Sequence, residues 1–250
     1  MMKKLAIAVV SLMFLAPTLG LVTVGLVMNP AAIACLSSSS LTLGNVPDSL
    51  VVTAANGETF TLNKQQLTHA ATIITVGPSI EGVTREGVQI ALMAALTEST
   101  LRQLANTGSY PESGSYPNDG NGSDHDSLGL FQMRPQSGWG SVADLMDPEY
   151  QAAAFFGGPS GPNYPSPRGL LDIPGWQSMG KGEAAQAVEV SAYPDRYNNY
   201  EPVAEKILAT LTSGASTSST TASSTTTSPT TSPSPPDAVT KSSRVVFPLP

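Results

Sequence analysis

Cysteine and histidine are nearly missing from this 250-residue sequence: Cys35 is the only cysteine, and His69 and His125 are the only histidines. One cysteine excludes an internal disulfide and a thiolate metal cluster. Charge is also sparse at 12%, with 12 Lys and Arg against 19 Asp and Glu, a formal net charge of -7. That balance argues against nucleic acid as a partner, because phosphate binding needs a basic face. It says little about uncharged or zwitterionic polymers. The motifs H-E-x-x-H, C-x-x-C and G-x-S-x-G are absent, as is a P-loop. The familiar zinc-hydrolase and serine-hydrolase patterns therefore do not apply.

The two ends differ from the middle. "MMKK" precedes an uncharged run from Leu5 to Met28, followed by "NPAAIAC". Lysines before an apolar segment are the signature of export, with the lysines left in the cytoplasm. The run is long enough to span a bilayer as a helix. Ala32-Ile33-Ala34, however, is a small-residue cleavage site. Cys35 directly after it raises a lipoprotein reading, against which stand Ala32, where leucine is usual, and the overlong apolar core. Residues 1–35 are thus expected to be a signal peptide or a membrane anchor. The rest is exported, extracellular or associated with the cell wall. From Ser213 to Pro236 the chain is almost wholly Ser, Thr and Pro. Such a composition cannot bury a core, so 213–241 is expected to be a disordered linker. An apolar tail, 242–250, follows.

The middle reads as mainly helical. "SLVVTAANGETFTLN" suggests a short hairpin around Asn56-Gly57, within a lead-in covering 36–61. "KQQLTHAATIITVGPSI" predicts a helix ended by Gly77-Pro78, with Leu67, Ala70, Ala71 and Ile74 on one face. His69 falls off that stripe and is expected at the surface. The next helix opens at Thr84, an N-cap residue, with Glu86 in its first turn. Val88, Leu92, Ala95 and Ser99 share a face that Ile90, Leu96 and Leu101 widen, so this helix should be buried on much of its circumference. Asn106 to Asp126 is polar and predicts a long flexible loop. "SVADLMDPEYQAAAFFGG" predicts a helix from Pro148, capped by Asp147. "KGEAAQAVEVSAYPDRYNNYEPVAEKILATL" predicts two helices broken near Pro194, with Ala185, Val188 and Ala192 as an apolar face.

Glu98 is the residue that stands out. Surface glutamates at a last helical turn are ordinary. This one follows a run too apolar for a solvated face, and its position meets an unfavourable helix dipole. A partly buried carboxyl has a raised pKa, which suits a general acid near neutral pH.

"LTESTLRQL", then "DSLGLFQMRP", then "VSAYPDRYNNYEP" resemble, in that order, the lysozyme-like domain of bacterial lytic transglycosylases. In that superfamily a helix ends in Glu-Ser, a later turn carries Gly-Leu-Met-Gln, and a third motif begins Ala-Tyr. Here these are Glu98-Ser99, Gly129-Leu130-Phe131-Gln132 and Ala192-Tyr193. The resemblance covers Leu62 to Leu211 and implies a lysozyme-like domain over 62–212. Phe131 replaces the usual methionine, and Pro194 stands where the family often has asparagine. The tail "RVVFPLP" resembles the entry strand of bacterial zinc peptidases of the β-barrel endopeptidase type, whose metal motifs are not present; the chain would then stop where a second domain begins.

The resemblance implies that Glu98 protonates the glycosidic oxygen between N-acetylmuramic acid and N-acetylglucosamine. The substrate's acetamido group would stabilise the cationic centre. Glu98 would then take the proton of the C6 hydroxyl as a 1,6-anhydro ring closes. No metal or cofactor is implied, and the partners would be peptidoglycan strands, met by a monomer. Gln132 would bond the sugar or its acetamido group, Gly129 would let the backbone approach the glycan or be an ordinary turn glycine, Leu130 would belong to the same substrate-binding turn, and Tyr193 would hold the Glu98 carboxyl or be a half-buried aromatic. Ser99 would orient Glu98 or bond its own backbone. Asp124 or Asp126, if facing Glu98, would activate water and make the enzyme a hydrolytic muramidase; both also suit loop capping. His125 is expected at the surface, and Trp139 and Trp176 in core packing rather than on sugars. A catalytically inactive wall-binding module on the same scaffold is the non-enzymatic alternative.

Overall fold

Asn56 and Gly57 form the first tight turn, Gly57 taking the left-handed φ of 88° that its missing Cβ permits. In the computed structural model, which describes residues 41–191 and 194–213, this turn joins β1 (Ser49–Thr53) to β2 (Thr59–Asn63). The strands pair antiparallel, Leu50 opposite Leu62 and Val52 opposite Phe60. Those four side chains share the inward face; Val52 and Leu62 are fully buried, while Val51 and the threonines face outward. The hairpin lies on the last helix and is tied to its approach by Ala55 N–H to the Asn199 carbonyl, 2.9 Å.

The remainder is mainly helical. Asn63 ends β2 and caps α1 (Lys64–Ser79) in a reciprocal box with Gln66. The helix runs past the predicted stop at Gly77-Pro78. In a last turn, proline forfeits a single backbone hydrogen bond, and Gly77 serves helix packing instead. A Cβ there would sit 2.6 Å from Val88 Cγ2. His69, expected at the surface, is buried: its Nε2 lies 2.7 Å from Asp119 Oδ2, which also accepts from Gln103 N at 2.8 Å. A partner fifty residues along the chain leaves no trace in the local stripe.

α2 (Arg85–Ser99) is the centre of the domain. Thr84 caps it through Gly87 N. Every residue from Gly87 to Leu96 is buried, because helices α1, α4 (Pro148–Phe156), α5 (Lys181–Glu189) and α6 (Glu201–Thr212) pack around it. Asp147 caps α4 as predicted, accepting from Glu149 N at 2.9 Å. A one-turn helix, α3 (Val142–Leu145), precedes it. α5 stops at Val190, whose φ is 50°, several residues before the predicted break at Pro194. A 3-10 stretch, Pro194–Tyr200, then leads into α6. Trp176 is buried in the core, and Trp139 is half-buried against it.

The segment 106–126 is cross-tied rather than loose. Asn106 Nδ2 donates to the carbonyls of His125 and Ser127, its backbone N–H donates to Ser113 Oγ, and Ala105 bridges to Asn121. Its polar residues supply the backbone partners that a sheet or helix would otherwise provide.

The turn after it is built on one buried amide. Leu128 pairs with Met133 across a loop in which Gly129 has φ 74° and Gln132 φ 50°. Gln151, fully buried on α4, accepts from Phe131 N at 2.9 Å and donates to the Leu128 carbonyl at 3.0 Å and to that of Leu145. A Cβ on Gly129 would lie 1.6 Å from Gln151 Nε2. Phe131 stacks on Phe155 with centroids 4.8 Å apart.

The expected export segment with Cys35, and the linker and tail beyond Ser213, lie outside the described residues. No described helix is long and apolar enough to cross a membrane. Replacing Gln151 by leucine strands buried groups of this turn, so Gln151→Leu should lower the unfolding free energy by about 2–4 kcal/mol. Urea denaturation measures it; a loss under about 1 kcal/mol would mean that the amide does not hold the turn.

Candidate active site

α2 ends abruptly. Thr100 and Leu101 both adopt left-handed φ, 56° and 59°, and their N–H groups return to the carbonyls of Leu96 and Ala95. Such backbone costs about 1–2 kcal/mol for each non-glycine residue and is stored mainly where surroundings over-determine it. The described non-glycine residues with positive φ are these two, His125, Gln132 and Val190. Each is a predicted site residue or lies within three positions of Glu98, Asp124 or Glu189.

Ser99 is buried, and its hydroxyl donates to the Leu130 carbonyl at 2.7 Å while accepting from Arg102 N at 3.0 Å. It thus joins the Glu-Ser helix end to the Gly-Leu-Phe-Gln turn. Gly129 and Leu130 are buried in that turn, with Gly129 closed in by Gln151 and the Leu145 carbonyl. Gln132 is half-buried and donates from Nε2 to the Gly129 carbonyl at 2.8 Å.

Glu98 is half-buried, and its Oε1 accepts a 2.5 Å hydrogen bond from the hydroxyl of Tyr197. Tyr197 is fully buried in the 3-10 stretch before α6. Tyr193 lies outside the described residues; the hydroxyl on Glu98 comes from four positions further on. Burial raises the Glu98 pKa above the ordinary carboxylate value; the Tyr197 bond and the Arg196 charge draw it back, and the charge of Asp124 adds to the rise. Burial, together with Glu189 and Glu98, pushes the Tyr197 phenol up, so it remains a donor.

Glu189, the last residue of α5, is a second carboxyl in this cluster, and the sequence reading passed over it. Its Oε1 is buried and has no hydrogen-bond partner among the described residues. Burial, then the charge of Glu98, raises its pKa well above the ordinary value. The signal was present: Glu189 sits between Val188 and Val190 at the end of an apolar helix face, the same setting as Glu98. Glu189 and Gln132 line a cleft of about 450 Å³ with Trp139 and Arg168; Glu98 stands off that lining. Cavities of about 540 Å³ beside His69 and about 870 Å³ beside Gly82 are larger, but neither is lined by Glu98, Ser99, Gln132 or Glu189.

The two aspartates differ. Asp126 is buried and saturated, accepting from Arg134 Nε, from Gln136 N at 3.1 Å and from the Tyr110 hydroxyl at 3.3 Å. Burial alone would raise its pKa, but the bonds from Arg134 and Gln136 N hold it below the ordinary value. Asp124 is exposed and pairs with His125 at 2.8 Å; its charge reaches Glu98.

No family model matches the chain, and no curated protein matches it. The site brings together a half-buried carboxyl, a phenol that donates to it and a second acid.

Both glutamates have raised folded-state pKa values, so below the ordinary 4.5 neither costs the fold anything. As pH rises, the unfolded chain sheds these protons before the folded one does, and stability falls. Glu98→Gln and Glu189→Gln should therefore each melt above the wild type at pH 8 and level with it at pH 4, followed by circular dichroism. Identical offsets at both pH values would show that the carboxyls are not desolvated.

Proposed function

We propose that this protein cleaves the β-1,4 bond between N-acetylmuramic acid and N-acetylglucosamine in peptidoglycan, with Glu98 as the single acid and base. The observation that carries this reading is the Glu98 carboxyl, half-buried at the end of the central helix with Tyr197 donating to it. Support comes also from the linking of motif segments distant in sequence: Ser99 reaches the turn through Leu130, and the segment after α5 supplies Tyr197.

The raised pKa favours the protonated form of Glu98, whose proton is given to the glycosidic oxygen. As the C–O bond breaks, the substrate's acetamido oxygen supports the cationic carbon. Tyr197 stabilises the carboxylate that Glu98 has become, and its hydrogen bond keeps the group in place for the return transfer. Glu98 then removes the C6 hydroxyl proton, and the oxygen closes onto the anomeric carbon. Protons balance: the leaving hydroxyl gains one, the C6 oxygen loses one, and the enzyme is restored. Gln132, on the cleft wall, bonds the sugar.

Hydrolysis is a second reading that one observation favours: Asp124 is exposed, and its charge is felt at Glu98. Water activated there would give reducing ends instead of anhydro ends. Asp126, fully engaged with Arg134 and Gln136, is unsuited to that task.

The full chain should release anhydro-muramyl fragments from purified peptidoglycan, identified by mass spectrometry, and Glu98→Gln should abolish release. Tyr197→Phe should lower kcat about 10-fold or more, the effect of removing one charge-assisted hydrogen bond. Reducing ends that vanish with Asp124→Asn would replace the anhydro mechanism with hydrolysis. Undiminished cleavage by Glu98→Gln would end the proposal.

A further inference from the structure

Glu189 has no part in the single-acid mechanism, yet it is the titratable group whose placement is hardest to explain as mere packing. It stands at the end of α5, where the helix dipole disfavours an acid and no basic residue occupies the last turn. It lines the cleft that Gln132 also lines. Its Oε1 is enclosed without a donor among the described residues. A leucine or alanine would fill this wall without that cost.

An ionised carboxylate here would hold a buried, unpaired negative oxygen next to another acid, the arrangement that folded proteins avoid by keeping the proton. The nearest acid agrees. Glu98 of α2 opposes a second negative charge, and Asp124 in turn acts on Glu98. Tyr197 gives its hydroxyl to Glu98, and Ser191 bonds Tyr197. Arg134, on the same cleft wall, is engaged by Asp126. Arg168 lines the cleft, and Arg196 acts on Glu98. A neutral carboxyl in such a wall can keep Oε1 enclosed without a charge and give the O–H on its other oxygen to an acceptor that enters the cleft.

We propose that Glu189 is a second substrate-binding group, donating its carboxyl O–H from the cleft wall to an amide carbonyl of the ligand. This role rests on the peptidoglycan reading, in which the acceptor is an acetamido carbonyl, the strongest neutral acceptor that an amino-sugar polymer presents. A Glu189 that keeps its proton cannot be a water-activating base, since a base must be ionised before it acts. The raised pKa of the group is consistent with this. Two acids at one site would then divide the work: Glu98 transfers its proton, and Glu189 keeps its own.

The test uses the full chain, its variants, peptidoglycan as substrate and an oligomer of β-1,4-linked N-acetylglucosamine as binding probe. Glu189→Gln preserves an N–H donor and should lower kcat/KM about 3- to 10-fold, whereas Glu189→Leu has none and should lower it about 30- to 100-fold, mostly through KM. Calorimetry with the oligomer should follow the same order. Ionisation of Glu98 sets an alkaline limb in both proteins; the wild type should lose activity further as Glu189 ionises, and Glu189→Gln should keep the Glu98 limb alone. Carbon NMR of the labelled side-chain carboxyl, assigned by its loss in Glu189→Gln, should show the protonated form persisting through neutral pH. An active wild type whose Glu189→Gln is as dead as Glu98→Gln would make Glu189 an obligatory base and overturn the donor role while leaving the peptidoglycan reading intact. Glu189→Leu with wild-type kinetics would overturn it too. A wild type that neither cuts peptidoglycan nor binds the oligomer would overturn both.

Discussion

A helix that is apolar on every face must be enclosed on every face, and α2 imposes that requirement on the whole domain. From Gly87 to Leu96 it offers no side to solvent, so α1, α4, α5 and α6 are arranged by the need to cover it. Close approach sets what can stand at the contacts: Gly77 lets α1 lie on Val88, and alanines fill much of the helix near its end. Only past Leu96 does the enclosure relax, and the first acid after it is Glu98. The position of the carboxyl is thus a by-product of packing: the residue that emerges is the one at which the covering runs out.

Electrostatics then reinforce what packing arranged. Glu98 and Glu189 each sit in the last turn of a helix, where carbonyl ends concentrate negative potential, and neither turn carries a basic residue. Two helices packed together, α2 and α5, bring both acids to one region, with Tyr197 between the helices donating to one of them. In most surroundings such acids would pair with arginine or turn outward. Asp126 takes the first course with Arg134, and its pKa falls accordingly. Within one domain the pKa of the same functional group is moved in opposite directions by opposite neighbours.

Local features were legible in the sequence, and long-range ones were not. The hairpin followed from Asn56-Gly57 between β-branched runs, and the helix starts followed from Thr84 and Asp147, because turns and caps involve residues within a few positions. The buried state of α2 was written in its composition. His69 was misplaced because its partner, Asp119, is fifty residues away, and a stripe drawn on one helix cannot register a group supplied by a loop. The segment 106–126 was misjudged for a related reason. Asn106 and Ser113 are polar residues that fold inward, and composition does not distinguish a side chain solvating itself in water from one solvating backbone. At the candidate site, Glu98 was visible as an acid at the wrong end of an apolar run. Tyr197 was hidden, since Tyr193 carried the motif and Val190, not Pro194, sets where the backbone turns.

Gln151 deserves a last consideration from the standpoint of substitution. Its side chain presents an acceptor to Phe131 and donors to Leu128 and Leu145 at a fixed reach, and Gly129 is pressed against it. Asparagine is too short, glutamate has at most one donor for two carbonyls, and no apolar residue has either function. A map of which replacements the chain tolerates would accordingly show Gln151 and Gly129 as intolerant as any residue that handles substrate. Ranking positions by such intolerance would place the scaffold of the turn beside the chemistry, and only a readout that separates folding from turnover would tell the two apart.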